Sequence, residues 1–271
     1  MKATSPAVTV LLPVYNAEAF LDEALASVVT QTFTDFRLLA VDDGSTDGSL
    51  NILERHADAD PRITVISRPN TGIVGALNEM ARLARSPLLA RMDADDVAMP
   101  DRFQRQIALF DAKPKAVCVG GGIEMITESG RPIMTPAPVT GDANIQREAL
   151  AGRTPISHPS AMIRREAFEA VGGYNADSYP AEDLDLFLRL GELGELHNVP
   201  ETVLRYRMHG NSISVRLSER QVHKMREACE RAWARRGIKG KFEATIEAKP
   251  EARAGCPINA NPTAAALAGR A

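Results

Sequence analysis

Three short segments of this sequence gather carboxylates where a loop or a helix start could expose them. Asp93-Ala94-Asp95 sets two carboxylates around one small residue. Hard divalent cations take oxygen ligands, and Mg2+ or Mn2+ commonly sits between one or two carboxylates and the phosphates of a substrate. The same segment also reads as a turn and helix cap ahead of Pro100, since Asp favours both. Asp42-Asp43-Gly44-Ser45-Thr46-Asp47-Gly48 can place a carboxylate against a base or ribose hydroxyl, or form a glycine turn in which Ser45 or Asp47 caps a helix. Glu182-Asp183 can supply a general base, or only favourable charge at a helix N-terminus, worth about 0.3–1 kcal/mol. Asp183 and Asp185 are two apart, so on a helix they point to different faces and only one easily enters a cleft. Arg205-Tyr206-Arg207-Met208-His209 alternates basic side chains along a strand, which suits a diphosphate or a solvated edge. His158, before Pro159-Ser160, suits a hydrogen-bonded structural role or a catalytic one.

These segments must be held by elements, and the first half alternates strands with helices. Val8–Leu12 is a β-rich apolar run ended by Pro13. Asn16 is placed to cap a helix whose apolar positions Phe20, Leu21, Ala24, Leu25, Val28 and Val29 recur at helical spacing. Strands are predicted over Phe36–Val41, Ile63–Ile66, Leu88–Met92 and Ala116–Val119, the last closed by Gly120-Gly121-Gly122. Helices are predicted over Gly48–Ala57, along Ile73, Leu77, Met80 and Ala84, and after Pro100 through Phe103, Ile107 and Phe110. This order predicts an α/β fold, a Rossmann-like, mostly parallel sheet flanked by helices. In such sheets ligands bind beyond the carboxyl ends of the strands, which is where Asp42-Asp43 and Asp93-Asp95 fall. The second half is less regular. Thr127–Thr154 reads as a long loop or weak hairpin, Ala161–Val171 as a strand entering a short helix, Glu182–Leu190 as a helix and Thr202–Met208 as a strand. Ser218–Arg236 reads as a charged helix with the stripe Val222, Met225, Cys229 and Trp233. The Ala-, Pro-, Asn- and Gly-rich end is expected to be disordered.

Composition narrows the class. The 271 residues carry 32 basic and 35 acidic side chains, a net charge of -3 that gives no global attraction to nucleic acid. Cys118, Cys229 and Cys256 are far apart and odd in number, which fits a reducing compartment better than a disulfide framework. No apolar run approaches the ~20 residues needed to span a bilayer. A cytoplasmic protein is expected. The Arg- and Lys-rich region Ser218–Lys241 could touch anionic lipid at the inner membrane face, although an ordinary packing helix is the plainer reading.

Taken in order, the motifs form a set. Leu11-Leu12-Pro13-Val14-Tyr15-Asn16 is followed by Val41-Asp42-Asp43-Gly44-Ser45-Thr46-Asp47. Then come Asn70-Thr71-Gly72, Met92-Asp93-Ala94-Asp95-Asp96 and Pro100-Asp101-Arg102. His158-Pro159-Ser160, Gly172-Gly173-Tyr174 and Glu182-Asp183-Leu184-Asp185 complete it. Over about residues 7 to 215 this resembles the inverting GT-A glycosyltransferases of family 2. The resemblance implies one catalytic domain over 7–241: a nucleotide-sugar half (7–122), a smaller acceptor half (123–215) and a C-terminal helix (216–241). Residues 1–6 would be a flexible N-terminus and 242–271 a disordered tail. It implies that Asp42 and Asp43 contact the nucleotide, Asp43 facing the base, with Pro13 and Tyr15 lining the same pocket. Asp95 would ligate Mn2+ or Mg2+, with Asp93 nearer the ribose or donor sugar. Asp183 would be the catalytic base, with Glu182 and His158 on the acceptor side. Arg207 and His209 would belong to a loop closing over the diphosphate, His209 as a further metal ligand. The implied partners are a nucleotide-sugar donor, a UDP-sugar first, and a carbohydrate or lipid-linked saccharide acceptor in surface polysaccharide or glycolipid assembly. The processive members' Gln-x-x-Arg-Trp is missing, as Ala232 precedes Trp233, so one sugar per encounter is expected.

Three rival readings remain at this level. A sugar-nucleotide pyrophosphorylase wants a Gly-rich basic loop after the first strand, where this chain has Pro13-Val14-Tyr15-Asn16. A dinucleotide oxidoreductase wants Gly-x-Gly-x-x-Gly there. A non-catalytic nucleotide- or carbohydrate-binding module would not need Asp43, Asp95 and Asp183 together.

Overall fold

The structure, a computed structural model, describes residues 5–210 and 219–243. The expectations for most of the N-terminus, for 211–218 and for the tail from 244 onward lie outside the described residues.

Strand β1 (Val8–Val14) alternates its side chains between two cores, Val8, Val10, Leu12 and Val14 to one face of the sheet and Leu11 to the other. It pairs in parallel with β2 (Phe36–Asp42) and β4 (Leu88–Arg91), and β2 pairs in parallel with β3 (Ile63–Ser67). Helices α1 (Leu21–Val29), α2 (Ser49–Ala59) and α4 (Arg102–Ala112) supply apolar side chains to the first face, and α3 (Ile73–Leu83) covers the second. This half follows the expected alternation.

Beyond β4 the sheet changes character. The nine strands of the described residues form one sheet in the order β3-β2-β1-β4-β8-β6-β9-β5, with β7 pairing β6. Strands β5 (Val97–Ala98), β6 (Ala116–Thr127), β7 (Pro132–Met134), β8 (Met162–Arg164) and β9 (Glu195–Met208) complete it. Strand β8 runs antiparallel to both β4 and β6, while β6 and β9 run parallel over most of their length. The sheet is therefore mixed at its far end, as in an α/β fold whose parallel half has been extended.

Several expectations are corrected here. Gly120-Gly121-Gly122 does not close a strand, because β6 continues through it to Thr127. The glycines are there because β9 approaches closely: a Cβ on Gly121 would stand 2.6 Å from Val203 Cγ2 and 2.7 Å from Val199 Cγ2. Val203 and Val199 are buried, so they have little room to yield. Gly121→Val is expected to destabilise the chain by about 1–3 kcal/mol or more through overpacking, read as a lower urea midpoint with an unchanged slope. Asn16 does not cap α1. It takes a left-handed φ of 51°, and its Oδ1 accepts the Thr46 N–H at 2.8 Å, which ties the β1 exit to the loop after β2. The stretch Thr127–Thr154 contains α5 (Asp142–Leu150), whose buried side chains are only Ile145 and Ala149, too sparse for a helical stripe to stand out.

Helix α6 (Arg165–Ala170) leads to the Gly172-Gly173 turn, and α7 (Glu182–Leu190) follows. Helix α8 (Glu219–Arg236) packs Met225, Ala228, Cys229 and Ala232 against Leu184 and Leu188 of α7. Trp233 sits at the margin of that contact and donates its indole N–H to the Leu150 carbonyl at 3.0 Å. The arginines of α8 turn largely toward the protein: Arg231 reaches Asp185, Arg235 reaches Glu192, and Arg236 reaches the Leu188 carbonyl. No helix of the described residues is long and apolar enough to cross a membrane.

Candidate active site

The parallel register delivers the site. Val14 lies opposite Asp42, and Leu11 opposite Arg91, so the carboxyl ends of β1, β2 and β4 reach one edge of the sheet together. From that edge project Pro13 and Tyr15, then Asp42 and Asp43, then the loop from Arg91 to Asp96. Tyr15 is exposed, an aromatic ring at the mouth of the edge.

Asp42 and Asp43 differ in what they hold. Asp42 accepts the Ser45 N–H at 3.1 Å and the Ser67 hydroxyl at 2.9 Å, bracing the ends of β2 and β3. It is buried and braces the loop. Asp43 accepts the N–H groups of Thr71 and Gly72 at 2.9 and 2.8 Å and pairs with Arg68 at 2.9 Å. A carboxylate offers about four acceptor positions, so one remains for a ligand.

The loop after β4 is pinned from two sides. From below, Arg102 is fully buried and forms no ion pair among the described residues: its Nη2 donates to the Arg91 carbonyl at 2.7 Å and its Nε to Gln106. Burial, with the charge of Arg91 added, lowers the Arg102 pKa to about 9. From above, Asp96 accepts the Arg207 N–H at 2.8 Å, and the Arg207 Nε donates to the Asp95 carbonyl at 2.8 Å. The Arg207 guanidinium also binds the Glu128 carbonyl and Glu23, and lies over the Phe20 ring. Arg207 is buried and links β9 to the aspartate loop, and its neighbour Arg205 is held by Glu124 and the Gly130 carbonyl. His209 lies with Nε2 2.8 Å from Asp95 Oδ2 and its ring 5.0 Å from that of Phe20.

Within the loop, Asp93, Asp95 and Asp96 each bring an oxygen within 4.8 Å of the others. Oδ2 of Asp96 is buried with no hydrogen-bond partner among the described residues. An all-oxygen donor set with an unsatisfied buried oxygen fits Mg2+ or Mn2+. Burial, reinforced by Asp93 and Asp95, raises the Asp96 pKa well above the ordinary carboxylate value. Burial also raises that of Asp93, against the pull of the Arg91 ion pair.

Helix α7 brings the second acidic pair. Asp183 accepts the Leu184 N–H at 2.7 Å, and no ion pair engages it among the described residues. Burial raises its pKa. Asp185 points the other way, between Arg189 and Arg231 at 2.8 Å each, as the two-residue offset requires. Burial and the charge of Asp183 push the Glu182 pKa up to about 7, with Asp93 adding to the rise. A carboxyl whose folded pKa is raised binds its proton more tightly in the folded state. Stability must therefore fall as pH rises from about 4.5 to about 7. Glu182→Gln is expected to flatten that part of the stability–pH curve and to stabilise the chain at pH 8, measured by thermal melting across pH.

His158, in a 3-10 turn, makes a 2.7 Å hydrogen bond with the Tyr174 hydroxyl and lies edge-on to Phe187. Burial and Arg91 hold its pKa well below the ordinary value, so it is neutral near pH 7. Tyr174 is fixed in turn by Asn78, which exchanges two backbone hydrogen bonds with it at 2.9 Å. His158 is thus a hydrogen-bonded support beside the acidic groups. Sequence reasoning missed Arg91 and gave Asp96 and Tyr174 no role. A charged residue inside the apolar run Leu88–Met92 was the available signal, because buried arginines are rare unless paired.

The family described as glycosyl transferase family 2 matches residues 9–172. The chain belongs to that family. An uncharacterised glycosyltransferase of Haemophilus influenzae is 32% identical over 218 residues, covering 77% of this chain and 68% of that protein. The amylovoran biosynthesis glycosyltransferase AmsE of Erwinia amylovora is 27% identical, covering 84% and 89%. Among solved structures, S. aureus TarS 1-349 in complex with UDP-GlcNAc superposes with a TM-score of 0.67 at 18% identity, covering 82% of this chain and 65% of that one. The mannosyltransferase PcManGT of Pyrobaculum calidifontis, in complex with GDP-Man and Mn2+, gives 0.63 at 22%, covering 89% and 67%. These two likenesses establish the GT-A fold, and this family 2 glycosyltransferase places its Asp93–Asp96 loop beyond the carboxyl end of β4.

Proposed function

We propose that this glycosyltransferase moves one sugar from a nucleoside-diphosphate sugar, UDP-linked in the first instance, to an acceptor hydroxyl with inversion at the anomeric carbon. The observation that carries the reading is the pairing of two acidic groups of different kinds around one buried cation. The loop Asp93–Asp96 is built to hold charge-neutralising partners, while Asp183 stands without one.

In this reading residues 7–122 hold the donor and 123–215 receive the acceptor. Tyr15 and Pro13 line the nucleotide pocket, and the remaining acceptor position of Asp43 takes an N–H of the base. Asp93, Asp95 and Asp96, with His209, would hold Mn2+ or Mg2+, whose charge offsets that of the departing diphosphate when it is bound. The free oxygen of Asp183 takes the proton of the acceptor hydroxyl as that oxygen attacks the anomeric carbon. Attack comes from the face opposite the diphosphate. The bond from the anomeric carbon to the diphosphate oxygen breaks, its electron pair leaves with the nucleotide, and the new bond has the opposite configuration. A single displacement needs one carboxylate base and no carboxylate nucleophile, unlike a retaining glycosidase. Glu182 and His158 line the acceptor side. The acceptor class we favour is a carbohydrate or lipid-linked saccharide in polysaccharide assembly, supported by relatives such as AmsE. The chain would act in the cytoplasm.

The test is nucleotide release from UDP-glucose, UDP-galactose, UDP-N-acetylglucosamine and GDP-mannose, each with Mn2+, with Mg2+ and with a chelator. One donor is expected to release nucleotide in a metal-dependent way. Absence of both release and nucleotide binding across the set would sink the reading.

A further inference from the structure

Helices α3 and α7 carry the two ends of the proposed chemistry. Asp43, on the nucleotide side, accepts the N–H groups of Thr71 and Gly72 where α3 begins. Asp183, the base, lies in the first turn of α7. The two helices share an apolar cluster, in which Leu77 and Met80 of α3 join Leu186, Phe187 and Leu190 of α7. Apolar contact is non-directional, so it brings the helices together without fixing their register. Directional bonds fix it, and they converge on one turn, residues 171–174. Gly172 and Gly173 take left-handed φ of 79° and 73° there, and the Gly173 N–H closes α6 by donating to the Phe168 carbonyl at 2.9 Å. From α7, the Arg189 Nη1 donates to the Val171 carbonyl at 2.7 Å and to the Gly173 carbonyl at 2.8 Å, while its Nε holds Asp185. From α3, Asn78 takes both main-chain groups of the next residue. Its Nδ2 donates to the Tyr174 carbonyl and its Oδ1 accepts the Tyr174 N–H, each at 2.9 Å. An amide presents a neutral donor and a neutral acceptor in one plane, which matches both groups at once. The approach is close, since a Cβ on Gly173 would stand 2.7 Å from Asn78 Oδ1. Asn78 makes no hydrogen bond with Asp43, Asp95 or Asp183 among the described residues.

We propose that Asn78 is a positioning residue for transfer: through residues 171–174 and Arg189 it fixes α7 against α3, and so sets Asp183 in the place from which it serves the attacking oxygen. A shift of about 1 Å at such a group costs about 100-fold in rate. This rests on the reading of Asp183 as the base, and adds a residue that acts through it without touching substrate.

The experiment measures nucleotide release to water, which takes the acceptor's place, from UDP-glucose, UDP-galactose, UDP-N-acetylglucosamine and GDP-mannose with Mn2+. Wild type, Asn78→Ala and Asn78→Asp are compared, each also in an Asp183→Asn background, beside calorimetric Kd values for UDP and GDP. Asn78→Asp keeps the size and shape of the side chain and, while ionised, loses only the donation to the Tyr174 carbonyl, so it serves if the alanine variant does not fold. Both variants are expected to lower kcat about 10- to 100-fold on the donor that wild type cleaves, and to bind free nucleotide like wild type. In the Asp183→Asn background the same changes are expected to cost less than about twofold, because a group that no longer takes a proton loses nothing by being displaced. A role in stability alone lowers release by one factor in both backgrounds, and that result overturns the proposal. So does unchanged release in the Asn78 variants, or a loss matched by weaker UDP or GDP binding, which would place the effect at Asp43. Hydrogen exchange needs no donor: Asn78→Ala is expected to exchange faster over residues 171–186 and as wild type over 63–72, and unchanged exchange over 171–186 also overturns it. Full release in Asp183→Asn alone removes the base and with it the underlying reading, a failure seen before any Asn78 variant is compared.

Discussion

Asp183→Asn is expected to lower transfer by about 10²- to 10⁴-fold while leaving nucleotide affinity unchanged. The substitution preserves size and the hydrogen bond from Leu184, but asparagine cannot take a proton. Asp183 lies on α7 and makes no hydrogen bond or ion pair with Asp43 or Tyr15 among the described residues, so their contacts are expected to stay as they are. Stability should hold or rise, because burial already disfavours the charged form of this carboxyl. The measurement is kcat for transfer beside a calorimetric Kd for UDP or GDP. Full turnover in the variant would remove Asp183 from its role as base.

The second large effect is expected at Asp95. Its side chain faces His209 at 2.8 Å and shares a small space with Asp93 and Asp96. Its backbone carbonyl, which holds Arg207, does not depend on the side chain. Asp95→Asn should therefore keep the loop in place and remove one charged ligand. In wild type, saturating nucleotide with Mn2+ should raise the melting temperature, since a ligand at about 100 times its Kd adds about 2.7 kcal/mol to the folded state. The variant is expected to lose the metal-dependent part of that shift and to lower donor cleavage about 100-fold or more. A wild-type melting curve that responds to nucleotide equally with Mn2+ and with a chelator would remove the metal from the site.

These two residues were legible in the sequence because their segments are short and local. Asp93-Ala94-Asp95 directly follows an apolar run, and Glu182-Asp183 directly precedes a helical stripe. The alternation of strands and helices to Phe110 was legible for the same reason, since a period of two or 3.6 residues can be read within one window. Helix α5 was not, because it buries two side chains only. The length of β6 was not, because a glycine run marks a turn or a close approach with the same letters.

What the sequence by itself determined was the class of fold, the family and the order of the carboxylate segments. Tertiary structure alone decided which of those groups are free to act. Asp42 and Arg207 carry the right chemistry for a nucleotide diphosphate site, yet both are buried in hydrogen bonds that secure the loops. Asp96 meets the backbone of Arg207 across 111 residues of chain, and the charge of Arg91 reaches Glu182 and Asp183 of α7 only in the folded chain. The physical reason is that a side chain's partners depend on contacts between distant segments. Local periodicity states which face of an element is buried, but not which charge waits on the other side.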